Sequence, residues 1–152
     1  MTPLVIEKDM IVKRIDGIES EIYEMETLKN QPLETFAAGD GHKLAQYHLH
    51  RALEGVFKIG SHILSRLPGS QATEYREIAK KLGEADIIDK DFADQVLVKM
   101  AKYRNRLVHF YAEITPAELH GILQSHLGDI TTYLGNIKQL LAHPEKHGLT
   151  VV

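Results

Sequence analysis

The chain of 152 residues contains no cysteine and no tryptophan. Without thiols there are no disulfides and no thiolate sites, which fits a reducing compartment. Long apolar runs are missing too: no stretch approaches the roughly 20 apolar residues that a membrane helix needs. The opening residues MTPLVIEKDMIVKRID bring charge too early and too often for a signal peptide. A cytoplasmic location with no membrane partner is therefore expected. No strand-period run of useful length and no fixed repeat occurs. HExxH and P-loop patterns are absent. His48 and His50 are two apart, and His120 and His126 six apart, poor spacings for ligands on one helix face. Neither a metal nor a cofactor is expected.

What is present is ordinary for a globular chain: 43% hydrophobic and 26% charged residues. That size suits one domain with a core of its own. The periods are helical throughout. Ile11, Ile15, Ile18, Ile22 and Met25 form one apolar stripe, closed by Asn30-Gln31-Pro32. After a looser piece with Gly39-Asp40-Gly41, a second stripe runs through Ala45, Leu49, Ala52, Val56, Gly60, Ile63 and Leu67. Gly60 lowers helix propensity there, so close approach of a neighbouring helix is its expected use. A short helix is predicted over Thr73 to Leu82, ending at Gly83.

A further helix is predicted from about Lys90, capped by Asp89, to Ala112, with Phe92, Val96, Met100, Tyr103, Leu107 and Phe110 inward. The last helix starts at Thr115-Pro116-Ala117-Glu118, a capping threonine followed by proline at the first helical position. Its stripe, Leu119 to Leu141, stops at His143-Pro144. The expected fold is all-α: an up-and-down bundle of four long helices plus one short helix. It forms one domain over residues 1–143, with a short, loosely held tail over 144–152.

The net charge of −3, with histidines neutral, argues against whole-surface binding of nucleic acid. Charge is unevenly placed, however. No acidic residue occurs between Asp94 and Glu113, while Lys99, Lys102, Arg104 and Arg106 all do. Inside this basic segment lies RNRLVHFY, Arg104 to Tyr111. On an ideal wheel at about 100° per residue, Asn105 and His109 share a face that also carries Val98 and Ala101 and points away from the core. Apolar residues there imply a second packed surface, for which a partner subunit is the simplest candidate. Arg104 and His109 stand roughly 140° apart on such a wheel. Either the helix is kinked, or the site is assembled from two subunits. In both cases the set combines a fixed cation for phosphate, a group titrating near neutrality and two hydrogen-bonding side chains.

At these residues the sequence resembles the HEPN superfamily, specifically the HepT-like toxins of toxin–antitoxin pairs. Arg-Asn-x-x-x-His-x-Tyr late in an all-helical domain carries the resemblance. YHLHRALEGVFKIGSHIL is similar to the family's second helix, and ATEYREIAKKLGEADIID to its short third helix and connector. Phe110 departs from the family, where glycine is frequent. The resemblance implies metal-independent endoribonuclease activity by attack of the RNA 2′-hydroxyl on the adjacent phosphate. It implies that His109 moves protons, Arg104 binds the phosphate, and Asn105 orients the histidine or the phosphate. It also implies a homodimer and an antitoxin that is a minimal nucleotidyltransferase, attaching AMP to Tyr111. Lys99, Lys102 and Arg106 are the expected RNA phosphate contacts. Two other readings compete: a non-catalytic helical dimer that docks a nucleotidyltransferase or a nucleotide, and an assembly protein whose arginine and histidine only satisfy a seam.

Overall fold

The isoleucine stripe of the first helix is where the core begins. A computed structural model describes residues 4–109 and 114–152 of the chain. After a two-residue strand β1 (Val5–Ile6), α1 spans Lys8–Lys29. Its Ile11, Ile15, Ile18 and Met25 are at most 3% exposed. Each such side chain gains about 1.5–3 kcal/mol from burial before ordering costs. The looser piece contains a short helix, α2 (Leu33–Ala38), whose Phe36 is buried. Next, α3 (Gly41–Ser65) lays Ala45, Leu49, Ala52, Val56 and Ile63 against α1 and α4.

The fourth helix, α4, covers Tyr75–Glu84, so Gly83 lies inside it rather than beyond its end. Close packing explains both glycines. A Cβ on Gly60 would come within 2.9 Å of the Ile78 and Leu82 side chains, and one on Gly83 within 2.7 Å of the Ala93 Cβ. The turn out of α4 instead uses Asp86 at φ 60, and aspartate tolerates that left-handed conformation better than most residues.

The helix predicted from Lys90 is composite. Asp89 caps it, accepting from the Phe92 N–H at 3.1 Å, and α5 covers Lys90–Phe92. A π-helical turn occupies Ala93–Leu97 before α6 (Val98–Val108). The wider turn rotates every later residue relative to an ideal wheel. Helix α6 packs against both α3 and α4, so Val98 and Ala101 are buried within the chain itself, 8% and 0% exposed, as is Met100 at 4%. They are not an apolar face awaiting a second subunit and give no reason to expect a dimer. Helix α6 also stops at Val108, short of the expected Ala112: His109 already has extended backbone, φ −103 and ψ 119.

Thr115 caps the next helix as expected, its hydroxyl accepting from the Glu118 N–H at 3.1 Å, with Pro116 in the first turn. The single long helix breaks at His126, giving α7 (Pro116–Ser125) and α8 (Leu127–Ala142). The His126 ring bonds the Asp129 carboxylate at 2.9 Å while its backbone leaves helical geometry. Within α8, Tyr133 is fully buried and donates its hydroxyl to the Val56 carbonyl at 2.7 Å. Burial pushes that phenol far above its ordinary pKa.

The tail is held, not loose. A 3-10 turn (Pro144–His147) and Gly148 at φ 67 lead into β2 (Thr150–Val151), which pairs parallel with β1. The Val152 N–H reaches the Ile6 carbonyl at 2.9 Å, and Leu149 is buried. The architecture is all-α apart from this clasp. No described helix is long and apolar enough to cross a membrane.

Candidate functional site

Helix α6 carries Arg104 toward α3 and α4, and three groups fix its guanidinium. Its Nε donates to Glu54 Oε1 at 2.6 Å, across 50 positions of sequence. Its Nη1 donates to Asn105 Oδ1 at 3.2 Å. Its plane lies over the Tyr75 ring, 4.3 Å from the ring centre, a contact that suits a flat, weakly hydrated cation. Tyr75 in turn donates to Glu54 Oε2 at 2.9 Å and stacks on Phe57 at 4.8 Å. His50 Nε2 stands 3.5 Å from Glu54 Oε1.

The Glu54 carboxyl feels opposing effects. Burial pushes it up, but hydrogen bonds from Arg104 and Tyr75, with the charges of Arg104 and His50, outweigh burial and hold it below the ordinary carboxylate value. Tyr75 is pushed up, first by burial and then by its bond to Glu54 and that residue's charge. A charged Glu54–Arg104 pair, only 22% and 25% exposed, thus sets the direction of the arginine fork. The Nη2 edge makes no hydrogen bond among the described residues, which leaves it able to meet an anion.

His109 follows five residues later, exposed, at the point where α6 ends; its N–H still donates to the Asn105 carbonyl at 3.1 Å. Asn105 is exposed and serves Arg104 through its side chain and His109 through its backbone. Since His109 has left helical backbone geometry, the ideal-wheel angle no longer fixes its ring. Tyr111 lies outside the described residues.

The expected RNA contacts separate into two kinds. Lys99 and Lys102 are exposed, Lys99 with its Nζ 6.0 Å from the centre of the Tyr103 ring. Arg106 is bound two-pronged by Glu118, at 2.6 and 2.7 Å. That contact, chiefly through its hydrogen bonds, holds the Glu118 carboxyl low. The acid-free window is therefore answered in space: Glu54 faces Arg104 and Glu118 faces Arg106. Sequence reasoning missed Glu54, Tyr75 and Glu118 as members of the site. The signal was slight, an acid beside the apolar stripe of α3 and another in the first turn of α7. Among the described residues, no group of three histidines or carboxylates is placed to hold a metal.

Comparison with known proteins follows the same segment. The family model described as ribonuclease HepT-like matches residues 18–137. Among solved structures, the tri-AMPylated HEPN toxin of Shewanella oneidensis in complex with MNT antitoxin is 23% identical. That match covers 86% of this chain and 98% of the other, with a TM-score of 0.78. A toxin–antitoxin structure with AMP-PNP is 22% identical, covering 86% and 97%, at a TM-score of 0.75. YutE of Bacillus subtilis, a cytosolic protein of unknown function, is 19% identical, covering 95% of each chain at a TM-score of 0.78. At such identities these structures show a shared fold. No curated protein matches the chain.

Proposed function

Because the chain belongs to the HepT-like ribonuclease family, we propose that it is an endoribonuclease toxin, restrained by a nucleotidyltransferase antitoxin. The reaction is transesterification within the RNA. The 2′-hydroxyl loses its proton and its oxygen forms a bond to the adjacent phosphorus. The P–O5′ bond breaks, the 5′-oxygen takes up a proton, and a 2′,3′-cyclic phosphate remains. His109 moves protons in this scheme, a role that histidine side chains fill more often than any other. Arg104 offers its outer edge to the phosphate and stabilises the charge that develops there. Asn105 orients the phosphate or the histidine. The scheme needs no metal to generate a nucleophile, because the attacking oxygen belongs to the substrate.

The observation that carries this reading is the arginine. Arg104 is fixed by Glu54, Tyr75 and Asn105 five residues before an exposed histidine, inside the segment that matches the family. Lys99 and Lys102 add backbone contacts. Arg106 would contribute only by leaving Glu118. Two protomers meeting at this end would place two such sets in one cleft, and Val108, apolar and 40% exposed beside His109, supports such a seam. A similar fold bearing AMP groups and held by an MNT antitoxin supports Tyr111 as the AMP acceptor here. A cytoplasmic site of action accords with this reading.

Growth on induced expression tests the proposal: parent against His109→Ala, with and without the adjacent reading frame. The expected result is arrest by the parent alone, relieved by the neighbouring gene. Equal arrest by His109→Ala would remove the assigned chemistry. The docking reading rests on the ion pair that engages Arg104. It gains if neither protein arrests growth while a complex with the nucleotidyltransferase still forms.

A further inference from the structure

Glu54 has a second side. Away from Arg104 it lines an open groove between α1 and α3, with a volume of about 620 Å³. Four cations also line this groove, Lys13, Arg14, Arg51 and Lys58, against two carboxylates, Glu21 and Glu54. Both carboxylates are engaged by the protein. Glu21 binds Arg51 at 2.7 Å and also His48, while Glu54 binds Arg104 and Tyr75. Lys13, Arg14 and Lys58 make no ion pair with the described residues. A chain of net charge −3 thus keeps a groove with excess positive charge, and its wall is the carboxylate that aims Arg104.

The spacing of these cations favours a strand over a single anion. Arg51 and Lys58 are seven residues apart on α3, about 10 Å along the helix axis, and Lys13 and Arg14 face them from α1. A lone phosphate is met by converging groups, whereas a row of that length serves successive phosphates. At the Arg51 end its guanidinium lies 5.4 Å from the centre of the Tyr47 ring, and Tyr47 is 56% exposed. A cationic track with an exposed aromatic beside it is the pattern that single-stranded nucleic acid uses: charge follows the backbone while a base stacks on the ring.

We propose that the groove between α1 and α3 binds the backbone of single-stranded RNA and leads it to the Arg104 site. Lys13, Arg14 and Lys58 contact phosphates, Arg51 meets a further one through its outer edge while its Nε holds Glu21, and Tyr47 stacks a base. This rests on the ribonuclease reading for the identity of the strand.

Gly17 gives a direct probe. It lines the groove, and a Cβ there would meet nothing within 4 Å. Gly17→Glu therefore places a carboxylate in the track without repacking, and Gly17→Ala controls for the side chain alone. Binding of a 2′-O-methyl RNA of about 20 nucleotides is measured by fluorescence anisotropy against salt, using the full chain. This RNA has no free attacking hydroxyl and is not consumed. The expected result is a loss of roughly tenfold or more for Gly17→Glu and for the Lys13→Ala/Lys58→Ala pair. That pair should also lower the slope of log K against log salt by about 1.4, at about 0.7 per phosphate contact. Gly17→Ala, and a Lys43→Ala/Lys80→Ala pair that does not line the groove, should bind as the parent does. Tyr47→Ala should lose about fivefold.

Unchanged affinity and slope in Gly17→Glu and the Lys13/Lys58 pair would overturn the proposal. So would absence of RNA binding by the parent, or sensitivity of AMP binding alone to these changes, which would make the occupant a mononucleotide. Cleavage of ordinary RNA by the parent is assayed alongside. Cleavage with groove-insensitive binding removes the groove and keeps the nuclease reading. Groove-sensitive binding without cleavage does the reverse.

Discussion

Arg104 is held by charge, by a ring and by an amide at once, and each leaves a different trace when removed. Glu54→Ala deletes the carboxylate that receives its Nε. The guanidinium keeps its place over Tyr75 but loses its direction, so RNA cleavage should fall about tenfold with the fold retained, an orientation loss of about 1.4 kcal/mol. Glu54→Gln keeps an acceptor and should recover part of the rate. Because the pair is partly exposed, its effect on stability should stay near or below about 1 kcal/mol. Thermal denaturation and cleavage rates on the same samples separate the two effects; an Ala variant that cleaves like the parent would show that the pair is structural only. The pH sign follows from the depressed Glu54 carboxyl. The contribution of the pair to stability is complete above the ordinary value of 4.5 and is lost as pH falls through the lower folded value.

Among the elements, the apolar stripes of α1 and α3 could be read directly, because isoleucine and alanine spacing at the helical period leaves one face to bury. The Thr115 cap could be read too. Its threonine, proline and glutamate occur in the order that satisfies free N–H groups. Thr115→Ala should cost about 1 kcal/mol, seen as a lowered melting temperature, and no change would mean that the cap is dispensable. The π-helical turn at Ala93–Leu97 had no signature in residue type, since one extra residue in a turn alters backbone pairing and not composition. Nor did the sequence show that α6 packs on two sides, against α3 and α4, which makes core of Val98 and Ala101 as well as Met100. The break at His126 was equally silent, because the leucine stripe continues through it. Of the candidate site, Arg104, Asn105 and His109 stood together in sequence and were legible. Glu54 and Glu118 come from other helices, and no local pattern announces an ion pair across 50 residues.

For the whole molecule, the balance of charge bears on the proposed ribonuclease activity. A chain with net charge −3 repels RNA over most of its surface. An RNA-cleaving role, as proposed, would therefore require attraction concentrated in a few places, the Arg104 end of α6 and the groove beside it. Affinity should depend steeply on salt while remaining local in its response to mutation. The bundle supplies the rigidity that such economy needs: α3 packs against α1 and α4 and carries Glu54 between Arg104 and the groove. Whether His109 moves the protons of an RNA transesterification can be read from a 2′-O-methyl strand bearing a single ribonucleotide. The strand is incubated with parent and His109→Ala in the presence of a metal chelator. The parent should make one cut, at the ribonucleotide, leaving a 2′,3′-cyclic phosphate, and the variant should lose about a hundredfold or more. Cleavage by His109→Ala at the parent's rate, or cutting at positions that lack a 2′-hydroxyl, would contradict that chemistry.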